Sequence, residues 1–208
     1  MKSHDPDPWT TCLAGSPSAG TEITVRRYQE MHAAKDRASI AAMVELRFRE
    51  RFLDPILDSP TRHGFAMMAI CCLMVETLES FRNGWTKTTD KGGGEVCCSF
   101  FQAHEQFAEL RPVAHEFYRA VRCGILHQAE TTNSWRVHRE PGLFEEKGGV
   151  RWLSAFEFGN HLKTVLASYK KTLMESDWDS PTWVNARKKL HSVCRNCGLP
   201  DAEVAKLV

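Results

Sequence analysis

The chain has 208 residues, 42% of them hydrophobic, and a formal net charge of +1 at pH 7. This length predicts one domain of ordinary size, or one domain with a small appendage, and the apolar content is enough for a substantial core. The near-zero charge excludes a protein that coats nucleic acid or anionic membrane by its bulk charge, so any polyanion site must be a local cluster.

Cysteine placement and the lack of an export signal indicate the compartment. The chain has eight cysteines, including adjacent pairs at 71–72 and 97–98 in or beside apolar stretches. Residues 1–20 carry Asp, Pro and Ser where a signal peptide needs an apolar segment. The longest apolar run, 64–75, is too short to cross a bilayer. We therefore expect free buried thiols in a soluble cytoplasmic protein with no membrane partner.

The first quarter of the chain is interpreted as a tail followed by helix. Residues 1–22 are rich in Pro, Ser, Thr, Gly and Asp without periodicity, which is typical of a disordered or loosely ordered tail. From residue 22 to Leu53, apolar residues recur at four-residue steps, which predicts one long or two short helices ending at Pro55.

Three further helices are predicted before residue 130. Residues 64–82 form a strongly apolar helix that we expect to be the most central, and 86–95, with three consecutive glycines, is expected to be a surface loop. Helices follow at 96–110 and 112–129, the latter with proline in its first turn.

The last third of the chain changes character twice. Alternation and two glycine-containing turn signals predict a small β-hairpin insertion at about 135–150. Helices are then expected at 154–174 and, after a Ser180-Pro181 start signal, up to Cys197. The fold class is all-α, an up-and-down helical bundle of five or more helices with the hairpin insertion. Its expected divisions are the tail at 1–22, the bundle at 23–178 and a C-terminal helical extension at 179–208.

One pair of residues near the end of the 112–129 helix can carry chemistry. Arg122 stands five residues before His127. Arginine can hold a phosphate, and histidine can transfer a proton near neutral pH. The spacing itself is weak evidence, because Arg27 and His32 stand equally far apart.

The context of this pair resembles the HEPN superfamily, whose small helical bundles carry Arg, four to six residues, then His near the end of a late helix. The segment 122–128, Arg-Cys-Gly-Ile-Leu-His-Gln, carries the resemblance, and the glutamate-bearing segment 73–80 looks like an early HEPN helix. The sequence departs from the pattern at Cys123, where many HEPN nucleases have Asn, Asp or His.

The resemblance implies a metal-independent endoribonuclease that acts as a homodimer on RNA, without a cofactor or a catalytic metal. RNA supplies its own nucleophile, the 2′-hydroxyl. His127 would be the general acid or base, and Arg122 would stabilise charge on the phosphate oxygens. Related nucleases serve as toxins or antiviral effectors, which implies an inhibitory or defence-system partner protein.

Helix geometry links this hypothesis to dimerisation. Residues five apart on an ideal helix point about 140° from each other, so one monomer aligns Arg122 and His127 poorly. A two-fold axis would join two helix ends in one composite cleft. The alternative is that Arg122 pairs with a surface carboxylate and His127 complements a helix C-terminus.

Other residues are expected to support the site or to bind RNA. Glu76 can position Arg122 across the bundle, whereas Glu79 is expected to begin an exposed stretch of its helix. Tyr118 shares a helix face with Arg122 and, like Trp135, either stacks an unpaired base or belongs to the core or the dimer interface. The other candidates are Cys123 and Gln128 as supporting residues and Arg119, Lys188 and Lys189 as RNA-binding residues.

Two further patterns leave alternatives open. The basic C-terminal helix that contains Lys188 and Lys189 either follows an RNA backbone or is a solvated face. Cys194 and Cys197 form a lone CxxC, which we interpret as a helix-end pair because a zinc site needs a second pair. The alternative functions are a non-catalytic HEPN-like module that binds nucleotide, RNA or protein, and a helical interaction protein.

Overall fold

The computed structural model describes residues 7–59, 63–87 and 92–205. The chain is mostly helical, as predicted, with two small sheets. Its described α-helices are α1 (Val25–Ala33), α2 (Arg37–Phe48), α3 (Asp54–Leu57), α4 (Gly64–Asn83), α5 (Gly93–Ala103), α6 (Ala114–Phe117), α7 (Gly124–Gln128), α8 (Ala155–Glu175), α9 (Pro181–Asn196) and α10 (Asp201–Ala205). The strands are β1 (Cys12–Ala14), β2 (Ile23–Thr24), β3 (Trp135–His138), β4 (Phe144–Lys147) and β5 (Val150–Ser154).

The chain divides into two compact units that differ from the predicted divisions. Among the described residues, the terminal unit comprises 7–50, 81–86 and 168–205, and the central unit comprises 51–59, 63–80, 87 and 92–167. The expected C-terminal extension therefore shares a unit with the N-terminal helices.

The expectation of a loosely ordered tail needs correction for residues 7–22. Strand β1 pairs antiparallel with β2, and Leu13 and Ala14 are buried. The carbonyl of Leu13 accepts a hydrogen bond from Arg47, and the amide of Gly15 donates one to Glu50 over 2.8 Å. Two apolar residues and the hydrogen bonds of this backbone to the side chains of Arg47 and Glu50 hold this segment, although its composition alone is typical of disorder. Residues 1–6 lie outside the described residues.

The predicted start signal of α9 is confirmed, whereas the helix end predicted at Pro55 is wrong. The hydroxyl of Ser180 caps α9 by accepting a hydrogen bond from the Trp183 amide, as expected. Pro55, which was expected to end a helix, instead lies in the first turn of α3, where a missing N–H costs nothing. A π-helical segment, Arg49–Leu53, joins α2 to α3.

The segment before the candidate motif is less regular than predicted. A 3₁₀ helix, Glu105–Val113, contains Pro112 and follows α5. Helix α6 is followed by a π-helical segment, Tyr118–Cys123, and then directly by α7. The expected helices 96–110 and 112–129 are therefore each divided into shorter elements of different pitch.

The predicted hairpin is part of a three-stranded sheet. Strands β4 and β5 form an antiparallel hairpin through Gly148 and Gly149, which both adopt positive φ, as tight hairpin turns require. Strand β3 pairs in parallel with β5, which is the central strand. Sequence alternation indicated strands but gave no sign of this parallel pairing, because the residues that pair are about 16 apart.

Aromatic rings form the core of the central unit. The rings of Phe117 and Phe158 are stacked with their centroids 5.6 Å apart, and Phe101 and Phe107 are stacked at 5.5 Å. Trp135 from β3 packs edge-on against Phe117 and is fully buried. This packing fixes the helix that carries the candidate motif, because Phe117 is the residue before the π-helical segment.

Helix α4 has the length and apolar composition that a membrane-spanning helix needs. Among residues 7–59, 63–87 and 92–205, it is the one helix long and apolar enough to span a bilayer. The helix extends beyond residues 64–75, the apolar run that is by itself too short to cross a bilayer. More than half of its apolar window is buried in the protein, and core helices of soluble proteins meet the same criterion.

Candidate functional site

The candidate site lies in the central unit, where α4 meets the helical segment that carries Arg122. The Nε–H of Arg122 donates a hydrogen bond to a carboxylate oxygen of Glu76 over 2.7 Å. The side chains are 20% and 14% exposed, so the ion pair is largely buried but reaches the surface. The structure thus brings Glu76 and Arg122 together, which is the contact that the positioning role requires.

The ion pair keeps the guanidinium charged in spite of its burial. Burial lowers the pKa of Arg122, but the hydrogen bond and charge of Glu76 outweigh that effect, so the pKa is raised overall. A permanently charged guanidinium that retains unused N–H donors can bind an anion at this position.

Tyr118 covers one side of this arginine. The guanidinium carbon of Arg122 lies 5.5 Å from the centre of the Tyr118 ring, as expected for residues that share a helix face. Burial, followed by a hydrogen bond with Cys123, raises the pKa of Tyr118. The phenol therefore stays protonated at neutral pH. Cys123 is half-buried beside it, so the supporting positions 118 and 123 do contact each other.

Glycines allow Tyr118 to approach the start of α5. A Cβ atom on Gly93 would lie 2.1–2.4 Å from the ring and hydroxyl of Tyr118, far inside van der Waals contact. The predicted loop at 86–95 is therefore wrong for residues 93–95, which form the first turn of α5. Residues 88–91 of that predicted loop lie outside the described residues.

His127 lies one helical turn beyond Arg122, in the last turn of α7, and is exposed. Within the described parts of the chain it has no hydrogen bond or ion pair, so the structure does not bring it into contact with Arg122. Gln128, the last residue of α7, is also exposed. The imidazole is thus open to solvent and to a ligand.

The backbone around the motif departs from regular helix on both sides. Arg122 belongs to a π-helical segment, and such segments are frequent at functional sites. After α7, Ala129, Asn133 and Ser134 adopt positive φ. Non-glycine residues in this conformation cost about 1–3 kcal/mol each and concentrate at functional positions.

Gly124, inside the motif, allows the chain to return over the helix. A Cβ atom at this position would lie 2.5 Å from the carbonyl oxygen of Glu130. The following segment is fixed by Thr131, which is buried and donates a hydrogen bond to the Trp135 carbonyl over 2.7 Å.

The structure corrects one expectation, for Glu79, and decides the environment of two nearby tryptophans. Glu79 is 1% exposed and accepts a hydrogen bond from Ser99, so it does not begin an exposed stretch. Trp135 is fully buried and cannot stack an unpaired base, which leaves the core alternative. On the same sheet, Trp152 is 39% exposed and is the indole that solvent can reach, a residue the sequence interpretation did not select.

The predicted RNA-binding residues divide between the two units. Arg119 is exposed in the central unit, close in sequence to Arg122. Lys188 is exposed on α9 of the terminal unit. Lys189 is half-buried and donates a hydrogen bond to the Thr86 carbonyl over 3.0 Å.

The cysteines are all free, as expected, and four of them are buried. Cys194 is buried at the end of α9 and Cys197 caps that helix, so they form a helix-end pair. Among the described residues, no group of three or more His, Cys, Asp or Glu side chains is arranged to hold a metal ion.

Comparisons with protein-family models, with curated proteins and with solved structures find no match for this chain.

Proposed function

We propose that the protein is a metal-independent endoribonuclease with a HEPN-like site, in which Arg122 binds the scissile phosphate and His127 transfers the proton. The observation that carries the proposal is an anchored, partly exposed arginine followed by an exposed histidine on the next helical turn. Glu76 orients the guanidinium before any ligand arrives, which reduces the entropy lost on binding.

The chemistry requires only these two groups and the RNA. The 2′-oxygen attacks phosphorus and its proton leaves to a base, the bond from phosphorus to the 5′-oxygen breaks, and the leaving oxygen takes up a proton. In a dimer, the His127 imidazole of one protomer would take the proton of the 2′-hydroxyl as the base, and the protonated His127 of the second would give one to the 5′-oxygen as the acid. The remaining N–H donors of Arg122 would hold the non-bridging oxygens as negative charge builds on them.

A homodimer completes the proposal, because one helix end supplies a single copy of each group. Two large apolar side chains near the site favour an interface there. Leu73, one turn before Glu76 on α4, is 38% exposed, and Leu126, which precedes His127, is 40% exposed. Burial of such side chains against a second copy would stabilise association. A role as a toxin or defence effector, restrained by a partner protein, belongs to the same proposal.

Cleavage of mixed RNA by purified protein tests this function. We expect His127→Ala to abolish cleavage with an unchanged melting temperature, because the side chain is exposed. His63→Ala, which removes an exposed imidazole elsewhere in the central unit, is the matched control and should retain most of the activity. EDTA should leave the rate unchanged. Full activity of His127→Ala would refute the mechanism, and a monomer by sedimentation would refute the composite site.

A specific observation favours a second candidate, a non-catalytic HEPN-like module that binds nucleotide, RNA or protein. Glu76 already occupies the Nε–H of Arg122, and the arginine side chain is only 20% exposed. Cys123 also departs from the residue that many HEPN nucleases have there. This candidate predicts that RNA binds without being cleaved and that Arg122→Ala weakens the binding.

A further inference from the structure

A cavity in the terminal unit has a composition suited to a small anionic ligand. It lies along α9 and α10, has a volume of about 510 Å³, and falls within the size range of small-molecule sites. Apolar surface from Val184 and Val204 forms much of its wall, and Thr86 and Ser192 contribute hydroxyl groups.

The charged residues of this cavity leave it positive. Arg187, Lys188 and Arg195 line it, and the acidic residue among its lining side chains is Asp201. Asp201 accepts a hydrogen bond from Arg195 over 2.6 Å, so these two charges largely offset each other. About two positive charges remain, which matches the charge of about −1.5 to −2 that a phosphomonoester carries at pH 7.

Arg187 is held in place before a ligand binds. Its guanidinium carbon lies 4.5 Å from the centre of the Trp178 ring, and one of its terminal nitrogens donates to the Trp178 carbonyl. A guanidinium has five N–H donors, so several remain for a phosphate. Lys188 is exposed and supplies a mobile second cation.

A buried imidazole supplies the observation that distinguishes this cavity from a charged surface. His191 lines the cavity and is 7% exposed, and no group among the described residues is bonded to its buried Nε2 atom. Burial, followed by the charges of His32, Arg187 and Arg195, lowers its pKa to about 4. The ring is therefore neutral at pH 7. A buried polar atom of this kind normally has a partner, and a ligand that turns the imidazole towards the cavity would provide one.

We propose that this cavity binds a small phosphomonoester, with Arg187 and Lys188 on the phosphate and His191 hydrogen-bonded to a polar group of the ligand body. The apolar walls would cover the rest of that body. A 5′-mononucleotide has the required size, charge and mixture of polar and apolar surface. This site is separate from the proposed RNase site, because its lining residues all belong to the terminal unit.

Calorimetric titration of the full chain tests the ligand class. We expect 5′-AMP or 5′-UMP to bind saturably. The matching nucleoside and inorganic phosphate should each bind at least about tenfold more weakly, because each can make only part of the contacts of the nucleotide. A 5′-phosphorylated tetraribonucleotide shows whether the phosphomonoester comes from a free nucleotide or from an RNA end. Absence of saturable binding by both nucleotides overturns the proposal.

Two charge-matched variants locate the site. Lys188→Glu should weaken nucleotide affinity by about tenfold or more through charge reversal at the phosphate. Lys171→Glu makes the same charge change at an exposed position on α8 that does not line the cavity, and should leave affinity within about twofold. Equal losses in both variants overturn the proposal, as does loss of nucleotide binding in His127→Ala.

Discussion

The guanidinium of Arg122 is bonded through Nε to the carboxylate of Glu76 at 2.7 Å, in a pair whose members lie 46 residues apart in sequence. Both side chains are largely buried, at 20% and 14% exposure. The contact joins α4 to the segment that precedes α7, so it links the orientation of the proposed phosphate-binding group to the packing of two helices. One carboxylate thus serves both the fold and the candidate site.

The first prediction concerns the stability that this pair contributes. Glu76→Gln leaves a largely buried guanidinium without its counter-charge, and we expect the free energy of unfolding to fall by about 2 kcal/mol. Urea denaturation measures the change. Glu175→Gln removes the carboxylate of the exposed Lys171–Glu175 pair and should cost less than about 0.5 kcal/mol. Equal effects of the two variants would contradict the proposed role of Glu76.

The second prediction concerns the dependence of stability on pH. The pKa of His191 is lowered to about 4 in the folded protein, from an ordinary value near 6.5 in the unfolded chain. The unfolded state therefore binds the proton first as the pH falls. The contribution of the neutral His191 to the free energy of unfolding is fully present above pH 6.5. It is lost progressively as the pH falls towards 4, by about 3 kcal/mol in total.

Comparison with a variant separates this effect from the titration of carboxylates. Unfolding free energies of the wild type and of His191→Gln, measured at several values between pH 7.5 and 4.5, should converge as the pH falls. Two parallel curves would show that His191 does not titrate with a lowered pKa.

The third prediction concerns the glycine within the motif. Gly124→Ala places a Cβ atom 2.5 Å from the Glu130 carbonyl oxygen. The backbone fixes the positions of both atoms, so neither can rotate away. We expect a loss of about 2 kcal/mol in unfolding free energy from overpacking. Gly64→Ala is the control, since its Cβ would make an ordinary contact of 3.5 Å with Val137. That change should be neutral or stabilising by up to about 1 kcal/mol.

The fourth prediction concerns the thiols. Cys71, Cys72, Cys97 and Cys194 are at most 2% exposed, and burial raises the pKa of Cys71 and Cys194 to about 12. A thiol reagent needs access and thiolate, so at neutral pH these four should not react in the native protein. Ellman's reagent should label no more than four thiols in the native state and eight in denaturant. Fewer than eight in non-reducing denaturant would reveal a disulfide.

Local patterns in the sequence correctly predicted the elements that depend on local physics. The Ser180-Pro181 start of α9, the glycine turn at 148–149 and the helical pattern of α4 each depend on a few neighbouring residues. Capping, positive φ and periodicity therefore suffice to recognise them. The sequence also indicated Glu76 as a candidate partner of Arg122, because it is a carboxylate that interrupts a very apolar helix.

Tertiary structure decided the environment of each candidate side chain. Trp135 and Glu79 are buried and Trp152 is exposed, which depends on how the sheet and α5 pack against their neighbours. The parallel pairing of β3 with β5 and the order of residues 7–22 likewise depend on contacts between distant parts of the chain.

By itself, the sequence determined that the chain is mostly helical and that Arg122 and His127 lie late in one helical segment. Both follow from residue spacing, because the helical period depends on the backbone alone. Only the tertiary structure decided that Arg122 is anchored and largely buried while His127 is exposed to solvent. Burial and ion pairing depend on contacts between side chains that are distant in sequence. Packing of the helices and sheet determines those contacts.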